Sequence, residues 1–211
     1  MRKNQTIYSN KKEAFDYLNE QGEILKKALF KNDALVKTLQ ILEKSNLLNW
    51  YIGGGSIPQT FWNQYHGFDL NHGIDDFDIV YFDNKDPTKE VEEKNQKRIE
   101  KEYPNCPNKL EVVNEARTHI WYKKDFGREI EPYSCTEDAI YGFPTIASAI
   151  GVTLTNNKMK IFAPHGLTDL LSLTVRANKI AIPKWVYKKK CKRWKSVWPK
   201  LTIVPWEYKN N

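Results

Sequence analysis

The run Asp75-Asp76-Phe77-Asp78-Ile79-Val80-Tyr81-Phe82-Asp83 sets two carboxylates two positions apart inside a β-branched and aromatic segment. Such a segment reads as a strand. Side chains alternate between the faces of a strand, so Asp76 and Asp78 project from the same side. Two like charges on one face of an apolar strand repel, and burial sharpens the repulsion. A bound divalent cation relieves both costs. Upstream by about twenty positions stands Gly53-Gly54-Gly55-Ser56, a turn able to bring backbone N–H groups to a phosphate. Pair and turn together point to metal-dependent chemistry on a nucleoside triphosphate.

The chain has 211 residues, 40% of them hydrophobic, which is enough for one large domain or a domain with an appendage. No apolar run approaches the roughly 20 residues of a membrane span. Residues 1–6 lead into polar sequence rather than an apolar signal core, so a cytoplasmic protein is expected. Cys106, Cys135 and Cys191 are scattered and form no CxxC pair. A disulfide framework is therefore not expected. Neither is zinc, because His66, His72 and His165 show no ligand spacing with one another or with the cysteines.

The net charge of +7 is uneven. Residues 179–206 hold nine Lys or Arg and no Asp or Glu, which leaves the remainder slightly acidic. The basic character belongs to this C-terminal segment.

Residues 11–46 read as helical, with Asp33 as the cap of a second helix carrying Leu35, Leu39 and Leu42. Residues 50–52 form a short strand running into the glycines. Ser56 is the expected cap of the next helix, where Pro58 is tolerated in the first turn. Residues 77–82 are the second strand. Residues 88–102 are charged throughout and read as an exposed helix ended by Pro104. Residues 110–122 read as one long strand, with Glu111, Val113, Glu115 and Arg117 on one face. Ser134 with Glu137 is a capping-box pattern. Residues 152–154 and 158–162 flank Asn156-Asn157 as a hairpin. Residues 168–175 read as a short amphipathic helix. Pro183 opens a last helix with Tyr187, Cys191, Trp194 and Trp198 on one face and Lys188, Lys189, Lys192, Arg193 and Lys195 on the other. The sum is α+β: a mixed sheet flanked by helices. It is expected as a domain over residues 1–178 with a basic, aromatic helical extension over 179–211 packed on it.

Glu111 is the candidate third carboxylate. Three acids from two neighbouring strands would hold two Mg²⁺ ions. Glu115 is its rival on the same face. Arg117 is placed either to pair with an acid or to meet a phosphate. His119 is expected to be buried and hydrogen-bonded. The basic segment 184–200 has three readings: a solvated face, a nucleic-acid contact through interleaved lysines and aromatics, or lysine stems covering apolar surface.

Several co-ordered stretches resemble a known family. They are the Gly-Gly-Ser turn, Thr60-Phe61-Trp62, the strand from Asp76 to Asp83, residues 114–122, 134–140, Pro144-Thr145, 149–152, 163–170 and 175–178. Together they resemble the DNA polymerase β-like nucleotidyltransferase superfamily. Within it they are similar to a bacterial nucleotidyltransferase-like family of unknown function related to the head domain of CCA-adding enzymes. The resemblance implies that Asp76, Asp78 and Glu111 are metal-binding and catalytic, with Mg²⁺ or Mn²⁺ as the ion. It implies that Gly55 and Ser56 form the phosphate turn; Gly54 beside them and Arg117 on the strand face complete the expected nucleotide-binding set. The sequence departs from the pattern where CCA-adding heads carry an Arg-Asp pair after the glycines, since Pro58 and Gln59 stand there. The chain also looks too short for the elements that position tRNA in those enzymes.

The expected activity is Mg-dependent transfer of a nucleoside monophosphate from an NTP to a hydroxyl. The alternative is a catalytically inactive module of the same fold that binds a nucleotide or RNA. A toxin-like or regulatory transferase differs from the first reading only in its acceptor.

Overall fold

The computed structural model describes residues 11–180 and 182–208, without the side chains of 11–18. The polar residues 1–6 lie outside that range. Helix α1 spans Lys11–Leu29 and α2 spans Asp33–Glu43. The cap of α2 is Asn32, whose side chain accepts from the Leu35 N–H, and not the expected Asp33. Strand β1, Tyr51–Gly53, runs through the glycine turn into α3, Ser56–His66. Ser56 is the first residue of that helix and not its cap: its hydroxyl donates to the Gly53 carbonyl at 3.2 Å. Strand β2, Asp76–Tyr81, is joined to β3, Lys109–Asn114, through α4, Lys89–Glu102. That crossover is required because β2 and β3 are parallel.

The strand expected to continue to residue 122 stops at Asn114. The side chain of Asn114 is fully buried. Its Oδ1 accepts from the Asp83 and Ala116 N–H groups, and its Nδ2 donates to the Asp83 carbonyl. A side chain that satisfies backbone groups in this way offers an alternative to the ladder. The chain turns through a 3₁₀ segment, Glu115–Arg117, into α5, Thr118–Phe126. Helix α6, Thr136–Tyr141, follows. Its expected capping box is replaced by a different pair: Ser134 donates to Asp138, while Glu137 accepts from the Tyr51 hydroxyl at 2.7 Å.

Strands β4, Gly151–Thr155, and β5, Lys158–Phe162, form the expected hairpin. Asn156 and Asn157 take φ of 51° and 59°, the left-handed pair a two-residue turn needs. The helix expected over 168–175 is shorter. Helix α7 spans Thr168–Leu171, Leu173 reverses the chain at φ 56°, and β6, Thr174–Val175, follows. Helix α8, Lys184–Val197, leads to β7, Thr202–Ile203, which pairs in parallel with β6.

The main sheet has the order β3-β2-β1-β4-β5. Only the β2–β3 pair is parallel, so the sheet is mixed and the architecture α+β, as expected. Helices pack on it around Phe77, Tyr81, Trp62, Trp194 and Trp198, all essentially without exposure. Tyr187, Cys191, Trp194 and Trp198 are buried, as the helical spacing predicted. Trp62 meets Trp194 and Trp198 edge-on at centroid distances of 5.1 and 5.7 Å, a favoured aromatic geometry.

Candidate active site

The register of β2 against β3 builds the site. Asp78 lies directly opposite Glu111, and Asp76 opposite Lys109. Asp76 and Asp78 share a face, and parallel pairing puts Glu111 on it too. One carboxylate oxygen from each of Asp76, Asp78 and Glu111 lies within 4.8 Å of the other two. All three groups are half-buried. An all-oxygen set of this kind matches the preference of hard divalent cations.

The electrostatics fit such an ion. Burial is the largest cause raising the Asp78 carboxyl, to about 7; the negative charge of Asp76 adds to it, and Lys190 works against it. Burial also raises Asp76, followed by the charges of Glu111 and Asp75. Carboxylates held above their ordinary range by desolvation and mutual repulsion regain their charged form when a cation joins them.

The glycine turn abuts this cluster. Gly54 has φ +68°, and a Cβ built there would overlap the Asp78 carboxylate. Glycine is therefore required on both counts. The Gly55 N–H donates to the Asp78 carboxylate. Pro58 and Gln59, the departures from the related pattern, are buried. A Cβ at Gly55 would meet Gln59 Nε2 at 2.7 Å, so Gln59 packs beneath the turn.

A cleft of about 450 Å³ opens beside the cluster, a size suited to a small-molecule ligand. Gly54, Gly55, Asp78, Glu111 and Glu115 line its acidic part. Val80, Val113, Trp121, Phe126, Phe143 and Pro144 supply apolar surface.

Glu115 is buried in the 3₁₀ turn and accepts from the Thr118 hydroxyl at 2.6 Å. It faces the cleft but lies outside the three-carboxylate cluster. Burial raises its carboxyl to about 7, opposed by the Thr118 hydrogen bond and aided by the charges of Asp78 and Glu92. The folded state thus holds this proton more tightly than the unfolded chain. Stability from this group is full below pH 4.5 and declines as pH rises to about 7, by roughly 3 kcal/mol at most. Glu115→Gln is expected to raise stability at pH 8 by up to about 2 kcal/mol, since the amide must bury its own NH₂, and to do little at pH 4.5. Urea titrations at the two pH values check this; an equal change at both would contradict it.

Arg117 is turned away from the cleft. Because β3 ends at Asn114, Arg117 is not on the strand face with Glu111, and its guanidinium pairs with Glu92 at 2.5 Å. His119 is half-buried, but its Nδ1 is buried with no hydrogen-bond partner, against expectation.

Sequence reasoning missed Lys190. It lines the cleft with Asp78 and Glu111 although it belongs to α8. The signal was available in the helical period: Lys190 stands three positions after Tyr187 and four before Trp194, on the edge of the buried face. Among the described residues no helix is long and apolar enough to cross a membrane.

A family model described as nucleotidyltransferase matches residues 40–203. The chain is also similar to an NMR structure reported to reveal a CCA-adding enzyme head domain. The TM-score is 0.69 at 19% identity, covering 85% of this chain and 94% of that one. At that identity the likeness speaks for the fold alone. No curated protein matches significantly.

Proposed function

The chain belongs to the nucleotidyltransferase family, and from that premise we propose that it moves a nucleoside monophosphate from an NTP to a hydroxyl of an acceptor. The observation that carries the reading is the meeting of the Asp76, Asp78 and Glu111 carboxylates on adjacent strands beside a cleft. These three would hold Mg²⁺ or Mn²⁺, which supplies charge neutralisation at the phosphates and acidifies the attacking hydroxyl. The acceptor oxygen bonds to the α-phosphorus as the α–β phosphoanhydride bond breaks and pyrophosphate leaves. Glu111, whose side chain is partly exposed, would meet the acceptor oxygen and assist loss of its proton. Gly54 and Gly55 let the phosphates approach the backbone closely, and Ser56 fixes the turn through Gly53. The apolar wall receives the base. In-line positioning in this cleft provides most of the rate gain. The exposed Lys188, Lys189 and Lys192 of α8 favour an acceptor that is itself a polyanion, a nucleic acid above all.

Thermal melts with each of the four NTPs, with and without Mg²⁺, test this reading. Saturating nucleotide is expected to raise the melting temperature by about 5 °C or more, and only with the metal. An α-labelled NTP incubated with Mg²⁺ and a cell extract then labels the acceptor. No metal-dependent shift with any NTP would remove the proposal. Metal-independent RNA binding that weakens steeply with salt would favour the inactive module instead.

A further inference from the structure

Lys190 is the cation of the cleft whose charge is not already answered. Among the described residues it makes no hydrogen bond and no ion pair; its ammonium sits against the Trp194 ring, 4.8 Å from the centroid. The neighbouring cations are engaged. Lys109 pairs with Glu111 at 2.9 Å, Arg193 with Asp75 at 2.6 Å and with the Gly73 carbonyl at 2.7 Å, and Arg117 with Glu92. Lys190 is half-buried, and its charge is felt by Asp78 and Asp76, yet it stands off from both carboxylates. A lysine present only to neutralise the acids would close on one of them. A gap between an ammonium and a carboxylate cluster is instead the space in which a phosphate fits, bound to metal on one side and to the lysine on the other.

The charge balance requires such a group. Three carboxylates consume most of the positive charge of two divalent cations, which leaves little for a triphosphate. No cation is supplied after the glycines, where Pro58 and Gln59 are buried. Trp194 is fully buried and holds the ammonium over its ring, 4.8 Å from the centroid, a contact that is satisfied electrostatically and leaves donors of the ammonium for a phosphate.

On the functional reading above, we propose that Lys190 binds the β- and γ-phosphates of the NTP and holds the pyrophosphate as it leaves, so that the C-terminal helix completes the nucleotide site. Lys190 makes no bond to the reacting atoms and is a positioning residue.

Calorimetry with Mn²⁺ alone, and with inorganic pyrophosphate in the presence of Mn²⁺, tests this on the full chain. Lys190→Met is expected to weaken pyrophosphate binding by roughly tenfold to a hundredfold, while Mn²⁺ alone binds as well or better because a repelling charge is gone. Lys190→Arg is expected to retain most of the affinity. If Lys190→Met destabilises the fold, Lys190→Gln keeps the length and polarity and serves in its place. Unchanged pyrophosphate binding in a folded Lys190 variant overturns the inference and leaves the metal site intact. Wild-type protein that binds Mn²⁺ but no pyrophosphate also overturns it. Wild-type protein that binds neither removes the functional proposal as well.

Discussion

Asp78→Asn is expected to abolish the proposed nucleotide transfer, with a loss of about a thousandfold or more, and at the same time to make the metal-free protein more stable at pH 8. The first effect follows from removing the acid at the centre of the cluster. Asp78 faces Glu111 across the ladder, sits one alternation from Asp76 and receives the Gly55 N–H. Its loss deprives a bound cation of a central ligand, and the cation's charge stabilisation of the transition state is worth several kcal/mol. The second effect has the opposite sign because the carboxyl is expensive where it lies. Raised from 3.8 to about 7, it is protonated in the native state at mildly acid pH and charged above that. Stability from the acid is therefore full below pH 3.8 and declines as pH rises to about 7. The asparagine escapes this penalty, so a melting temperature higher by a few degrees is expected at pH 8. No gain is expected at pH 4. Added Mg²⁺ should stabilise the wild type and leave the variant unmoved. Wild-type turnover in Asp78→Asn would end the case for a metal-dependent transferase.

Trp198→Ala should be among the most damaging core substitutions, at about 3–5 kcal/mol. Trp198 is fully buried and packs edge-on against Trp62. Its Nε1 donates to Asn63 Oδ1 at 2.6 Å. Truncation leaves a cavity where the ring stood and an Asn63 oxygen without its donor, and each adds to the cost. Asn63 also donates to the Leu70 and His72 carbonyls, so the loop leading to β2 loosens with it. In a chain of this size the melting temperature should fall by roughly 10 °C. Calorimetric or circular-dichroism melts measure it, and a loss below about 1 kcal/mol would show that the α8 seam is not part of the cooperative core. On the proposal that Lys190 of α8 binds the phosphates, nucleotide affinity should fall in the same variant even at temperatures where it remains folded.

These two residues show how differently the sequence speaks. Trp198 was legible as the last position of a helical stripe beginning at Tyr187, since a 3.6-residue period is written in the local order of apolar side chains. The shared face of Asp76 and Asp78 was legible for the same reason, with a period of two. The Asn156-Asn157 hairpin followed from residues that tolerate left-handed backbone. Where a distant group captured the backbone, local order misled. Asn114 looks like one more position in an apolar run, but its bonds to Asp83 close β3 and turn Arg117 toward Glu92.

The sequence by itself determined which side chains share a face within each element, and so placed Asp76 beside Asp78, and Trp194 and Trp198 toward the interior. Period is a property of neighbouring residues and needs no partner. Only the tertiary structure decided that Asp78 stands opposite Glu111, that Lys190 enters a cleft built from residues between Gly54 and Ser148, and that Gln59 fills the space under the glycines. Strand register and helix docking depend on burial summed over the whole core, and no stretch of chain holds that sum alone.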